Sequence, residues 1–160
     1  MSRNALVIDA GPEAVWAVLS DAFRYQDWVV GAREIRVADG DWPAPGSSFG
    51  HRIGLVGPLT LTDETTVRDA QPGRRLLLRA EIGFLGAADI ELVLEPAGPS
   101  RTLVRMREKP VSGPARWFNN PMQEQAFWVR NLLSLVRLKF LVERYEAKEP
   151  TVLGAAAGAR

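Results

Sequence analysis

Residues 120–147 read NPMQEQAFWVRNLLSLVRLKFLVERYEA, and this stretch decides the fold. Met122, Ala126, Val129, Leu133, Val136 and Phe140 recur at helical spacing, and Trp128, Leu132, Leu135 and Leu138 add a second apolar stripe beside the first. A helix of about 27 residues is roughly 40 Å long, close to the full width of a domain of this size. It must therefore lie across something broad. A helix apolar on two flanks is expected to be buried on more than one side, by other helices of the chain or by a second subunit.

The broad partner is written in the segments before it. Asn4 to Ala10, Glu34 to Ala38, Ser47 to Val56, Leu59 to Asp69, Arg74 to Ile82, Ala87 to Glu95 and Arg101 to Lys109 all read as strands. The last five are separated by Gly57-Pro58, Gln71-Pro72-Gly73, Gly83 to Gly86 and Pro96 to Pro99, short breaks that predict an antiparallel meander. In the final strand Arg101, Arg105, Arg107 and Lys109 share one face while Val104 and Met106 share the other. Leu78, Ala80 and Ile82, and Ile90, Leu92 and Leu94, are expected on the same inner face. Between the first two strands, Pro12 is placed to open a helix through Leu19, and Ser20-Asp21 to cap a second over Ala22 to Trp28. A curved sheet gripping one long helix tends to leave a hollow between them, and a ligand site is expected there.

Composition bounds the remaining choices. The 160 residues suffice for one well-filled core, and the expectation is a single domain over residues 1–149 followed by a disordered Ala/Gly-rich tail at 150–160. A formal net charge of +1 supplies no global field for nucleic acid or an anionic membrane, so neither partner is expected. With no cysteine and one histidine, disulfides, a thiol nucleophile and a thiolate or His-rich zinc centre are excluded. No 18-residue apolar run and no signal-like segment is present, which makes a soluble cytoplasmic protein the default. Glycine-rich phosphate loops and a nucleophile elbow are absent as well, and no cofactor or metal is expected.

The element order, strand, two short helices, several antiparallel strands and a long C-terminal helix, resembles the helix-grip fold of the START/Bet v 1-like (SRPBCC) superfamily. Local motifs agree with it. Ile8-Asp9-Ala10-Gly11-Pro12-Glu13-Ala14-Val15-Trp16 is similar to the opening pattern, Leu19-Ser20-Asp21 with Tyr25 and Trp28 to the second helix, and Asp69-Ala70-Gln71-Pro72-Gly73-Arg74-Arg75-Leu76 to a characteristic turn. Glu108-Lys109-Pro110 with Gly113-Pro114, followed by Arg130-Asn131 and Leu135-Val136-Arg137-Leu138, resembles a polyketide cyclase/dehydrase-like branch. The resemblance spans about residues 4–146 and implies an α+β helix-grip architecture: a curved antiparallel sheet wrapped around the long helix. It also implies that a hydrophobic small molecule such as a lipid or polyketide is carried or sequestered in the cavity. The alternative is a cofactor-independent cyclase or dehydratase using acid/base residues in that cavity.

Candidate residues follow from register. His51 shares a strand face with Phe49 and Ile53, and Asp63 shares one with Leu59 and Leu61, so the two could form an acid/base pair on neighbouring strands. The plainer readings are a hydrogen-bonded structural histidine and a solvated charged strand. Glu108 continues the inward series Val104, Met106 and is a third candidate catalytic residue, since a carboxyl buried there without a cation could donate as well as accept a proton; Pro110 follows closely, and the plainer expectation is that Glu108 reaches water at the cavity mouth. Trp28, Phe49, Leu78, Ile82, Met106 and Trp128 are candidate lining residues, with Asn131 and His51 orienting the ligand. Trp117 and Phe118, in the loop before the helix, and Phe84, bracketed by glycines, are candidate gates. A third alternative is an interaction module whose second stripe, at Leu132 and Leu135, forms a homodimer through the C-terminal helix.

Overall fold

The computed structural model describes residues 1–56, 59–82, 86–113 and 121–148; at 33–34, 36–37, 51–56, 59–63, 82, 121, 123 and 147–148 it describes the backbone alone. The expectation for the tail at 150–160 lies outside these residues. The chain runs β1 (Ser2–Ile8), α1 (Pro12–Leu19), a 3-10 turn (Ala22–Arg24), α2 (Tyr25–Trp28), β2 (Ala32–Ala38), β3 (Ser48–Val56), β4 (Leu59–Gln71), β5 (Arg75–Ile82), β6 (Gly86–Gly98), β7 (Arg101–Pro110) and α3 (Pro121–Lys148).

All seven strands form one antiparallel sheet in the order β1-β7-β6-β5-β4-β3-β2. The five-strand meander β3 to β7 is as the turn residues predict, and the first strand returns to pair with the last, Ser2 opposite Glu108 and Ile8 opposite Thr102. Register shifts at Val67/Asp69, Gly54/Val56 and Pro96/Gly98 bend the ladder, because an extra residue on one strand raises the local twist. One face is a charged ladder in which Arg75 meets Asp69 and Glu91, Arg79 meets Asp89, and Arg105 meets Glu95.

Pro12 begins α1 with Gly11 as its N-cap, since a proline at the first helical position gives up a donor that would be unpaired anyway. The segment read as one second helix is instead a 3-10 turn followed by one α turn. Asp21 caps it by accepting from the Phe23 amide at 3.0 Å. At Val29 the backbone returns to the extended region, which closes the segment.

Helix α3 runs along β1 and touches β7, with α1 and α2 on its flank. Polar ties fix its position. Asn4 Nδ2 donates to the Trp128 carbonyl at 3.0 Å, Lys139 Nζ to the Val7 carbonyl at 3.0 Å, and the Val30 amide to Ser134 Oγ at 3.0 Å. Its inward face carries Asn131, Ser134, Leu135, Leu138 and Val142, all buried. This corrects the expectation of burial on two flanks: Met122, Val129, Leu133 and Phe140 of the first stripe are exposed, as is Trp128 of the second. Leu135 and Leu138 instead join a single core with Ile8, Val15, Leu19, Trp28, Phe49, Val67, Leu78, Leu92 and Val104.

Candidate ligand-binding site

The inner face of the sheet is organised in cross-strand rows. One row, Val67, Leu78, Ile90, Glu108 and Ser2, is followed on one side by Leu76, Leu92, Met106 and Asn4. On the other side lies Phe49, Thr65, Ala80, Ala88 and Pro110. Three successive strands thus place Thr, Ala and Ala side by side where the neighbouring row carries Val, Leu and Ile. Thr65, Ala80 and Ala88 are all buried, so the sheet surface is lowered there without facing bulk solvent.

An aromatic wall adjoins this shallow row. Phe49 packs on Tyr25 at 4.8 Å between ring centroids and on Trp42 at 4.7 Å, and Tyr25 packs on Trp28 at 4.9 Å. The tilted and edge-on geometries are those favoured by aromatic quadrupoles. Trp28 Nε1, Trp42 Nε1 and Thr65 Oγ1 are buried and find no hydrogen-bond partner among the described residues.

Two residues further along the same strands, the backbone register sets His51 directly opposite Asp63, and Ile35 of β2 opposite His51. The proposed neighbours are therefore Cα partners. Their side chains lie outside the described residues.

At the β7 end the face is polar. Glu108 is buried, and Oε2 accepts from Arg130 Nη2 at 2.5 Å and from Asn131 Nδ2 at 2.7 Å. Arg130 also donates to Asn131 Oδ1 at 3.1 Å and sits over the Phe127 ring. Beside them, Ser2 Oγ donates to Asn4 Oδ1 at 3.0 Å. Glu108 does not open to water as expected: β7 continues to Pro110, so the two-residue period carries the carboxylate inward, where α3 supplies its cation. Among the described residues no group of three or more His, Cys, Asp or Glu is arranged to hold a metal.

A curved seven-stranded sheet, a gripping helix and a shallow apolar row are now accompanied by a match over residues 3–143 to the family model described as polyketide cyclase / dehydrase and lipid transport. The chain belongs to that family. Solved structures agree on the helix-grip fold. A START superfamily protein from Mycobacterium smegmatis is similar with a TM-score of 0.72 and 15% identity, covering 89% of this chain and 97% of that one. The Zhui aromatase/cyclase from Streptomyces sp. R1128 is similar with a TM-score of 0.67 and 15% identity, covering 95% and 96%. DR_A0006 from Deinococcus radiodurans is similar with a TM-score of 0.60 and 21% identity, covering 94% and 98%. No curated protein matches the chain. No helix among the described residues is long and apolar enough to cross a membrane.

Within this polyketide cyclase/dehydrase and lipid transport fold, the expected lining residues separate into groups. Trp28, Phe49, Leu78 and Met106 are buried in the core beneath the helices. Trp128 is 46% exposed: it lies about 60° around α3 from Asn131, at the edge of the inward face, and its carbonyl accepts from Asn4. Both ends of the Asn131 amide are engaged by Glu108 and Arg130. Phe84, Trp117 and Phe118 lie outside the described residues, as does the Ile82 side chain.

Trp42, Tyr25, Thr65 and Arg130 were not singled out by sequence reasoning as site residues. Trp42 stands in the Pro/Gly-rich segment Trp42 to Gly46 and reads as punctuation. Thr65 is hidden by the charged run around it, although its two-residue spacing from Val67 was the available signal.

Proposed function

We propose that the chain binds a hydrophobic small molecule between its sheet and α3, as a carrier or sequestering protein. The observation that carries this reading is the buried row Thr65, Ala80, Ala88 beside the aromatic wall Tyr25, Trp28, Trp42, Phe49. A low floor with flat apolar walls suits a lipid or polyketide-like ligand, gaining about 25 cal/mol for each Å² of apolar surface removed from water. Lipid transport is one of the activities in the family's description, and it supports the same reading.

The test combines native mass spectrometry and organic extraction of the purified protein with titration by anilinonaphthalene sulfonate. Ala88→Leu raises the floor by three carbons and is expected to weaken probe binding about tenfold, by overpacking the row. Unchanged binding by a folded Ala88→Leu protein would remove the row from the site.

A second reading, cyclase or dehydratase action in the same cavity, is favoured by the register that pairs His51 with Asp63. A histidine beside a carboxylate can take a proton from a carbon next to a carbonyl and return it to a leaving oxygen. The similarity to an aromatase/cyclase supports the fold required for it. Under this reading His51→Ala loses more turnover than ligand affinity; equal losses take His51 out of the chemistry.

A further inference from the structure

The outward face of α3 carries a pattern that neither the core nor the ligand site uses. Ala126, Val129, Leu133, Val136 and Phe140 alternate three and four residues apart, the spacing of a seam that packs against another helix. Val129, Leu133 and Phe140 are 44%, 49% and 62% exposed, and the seam runs about 21 Å along the helix. Arg137 and Arg144 flank it one heptad apart. Both are exposed, and neither guanidinium has a hydrogen-bond or ion-pair partner among the described residues. Arg130, a heptad earlier on the same flank, is instead turned inward to Glu108. At the C-terminal end of the seam, Arg137, Phe140, Leu141 and Arg144 line a groove of about 500 Å³ together with Asp27 of α2. Two cations against one carboxylate leave that groove positive.

We propose that this face docks an amphipathic helix of a partner protein, one that brings an apolar seam of its own and acidic side chains a heptad apart to meet Arg137 and Arg144. The face is turned away from the sheet, so the docking site stands apart from the ligand-binding reading. A straight seam of three-four spacing takes the ridge of another helix, which buries the exposed Val129, Leu133 and Phe140. Charge selects the partner. A second copy packed antiparallel sets the flank Gln123, Arg130, Arg137 and Arg144 against itself, and one packed parallel sets Arg137 beside Leu132 and Arg144 beside Lys139. Neither arrangement supplies a carboxylate, and both bring like charges together. An anionic lipid surface would meet the other flank as well, where Glu146 is exposed and Lys139 is already held by Asp9 and Glu143. An acidic helix meets the free cations on one flank alone, so the apolar seam supplies burial and the arginines set orientation and partner choice.

The experiment measures fluorescence anisotropy of two synthetic peptides of about 21 residues, long enough to form a helix, with leucine along a three-four seam and either glutamate or lysine on both flanks. The wild-type protein is expected to bind the glutamate peptide about tenfold tighter than the lysine peptide, a comparison that needs no variant. Arg137→Glu combined with Arg144→Glu should abolish or invert that preference and, both sites being exposed, keep the circular dichroism spectrum. Arg68→Glu combined with Arg74→Glu changes the formal charge equally at exposed positions on β4 and in the turn after it, and should keep the preference. Leu133→Ala with Phe140→Ala should weaken both peptides severalfold. Absence of binding, equal binding of the two peptides by the wild type, or a preference lost equally in both charge variants overturns the docking surface. Retention on phosphatidylglycerol vesicles without peptide binding overturns it in favour of a lipid surface. A wild-type dimer dissociated by Leu133→Arg overturns it by giving the seam to a second copy.

Discussion

Arg130 on α3 is joined to Glu108 on β7 by a 2.5 Å contact from Nη2 to Oε2, between a guanidinium 32% exposed and a carboxylate 5% exposed. The pair is asymmetric: the cation keeps part of its hydration and the anion keeps almost none. Removing Arg130 therefore leaves Glu108 with only the Asn131 amide, whereas removing Glu108 lets Arg130 turn toward water. Arg130→Met is expected to destabilise the fold by about 2 kcal/mol, below the range for a fully buried pair because the guanidinium is partly in solvent. Glu108→Gln, which keeps an acceptor for Arg130 and Asn131, should cost about 1 kcal/mol. Urea unfolding of both variants decides the matter, and equal losses would contradict the asymmetry.

Asp9 ties β1 to the other end of the same helix. Lys139 Nζ lies 3.0 Å from Asp9 Oδ2 and 2.9 Å from Glu143 Oε1, and Arg101 Nε lies 2.8 Å from Asp9 Oδ1. Hydrogen bonding from Lys139 and then Arg101 holds the Asp9 carboxyl below the usual aspartate range; hydrogen bonding to Glu143 and then Asp9 raises the Lys139 ammonium above the usual lysine range. The lowered carboxyl contributes stability in full above the unfolded aspartate value of about 3.9 and loses it as pH falls through the folded value. The raised ammonium contributes in full below the unfolded lysine value of about 10.4 and loses it as pH rises through the folded value. Lys139→Met should thus carry a steady penalty across neutral pH that shrinks below about pH 4 and above about pH 10.4. Urea midpoints across that range check it, and an undiminished penalty at the acid end would refute the link to Asp9.

Gly86 opens β6 at φ +103°, and a Cβ there would lie 2.2 Å from the Ser112 carbonyl oxygen and 2.7 Å from Gly113 Cα. The close approach serves a short clasp in which the Ala87 amide donates to Ser112 Oγ at 2.9 Å and the Val111 amide to the Ala87 carbonyl at 2.8 Å. Both the backbone region and the contact exclude a side chain. Gly86→Ala should cost at least about 2 kcal/mol, and amide exchange at Ala87, Val111 and Ser112 should accelerate. Unaltered exchange would mean that the clasp tolerates the methyl group.

These features divide cleanly by the kind of signal that encodes them. Strand alternation such as Val104, Met106 against Arg105, Arg107 is a local, two-residue pattern, and it carried the sheet and its faces, although β6 runs on to Gly98 through the stretch Pro96 to Pro99 read as a break. The His51–Asp63 pairing was legible for the same reason, since the short Gly57-Pro58 break fixes the register of the strands on either side. Glu108 was misjudged because proximity to Pro110 was weighed above the period, and the proline lies at the end of the strand without disturbing it. Arg130, Trp42 and Thr65 were missed because their importance arises from partners far away in the chain, which no local pattern records. On α3 the difficulty was different: two apolar stripes compete, and hydrophobicity alone does not say which one faces the sheet.

That competition gives a test of the helix face. Leu135 is fully buried against the core while Leu133, two positions away, is 49% exposed. A homodimer through α3 would therefore use the outward row Met122, Val129, Leu133 and Phe140, and not Leu135. Leu135→Arg places an unpaired charge among Leu138, Val142 and the inner sheet, where the penalty of several kcal/mol approaches the whole stability of a domain, so the protein should fail to fold. Leu133→Arg should keep the circular dichroism spectrum and change stability by no more than about 0.5 kcal/mol. Light scattering on the wild type and Leu133→Arg then reads the assembly directly. A dimer that becomes monomeric on Leu133→Arg assigns the outward row as its interface, while a dimer that survives the charge places the interface elsewhere on the molecule.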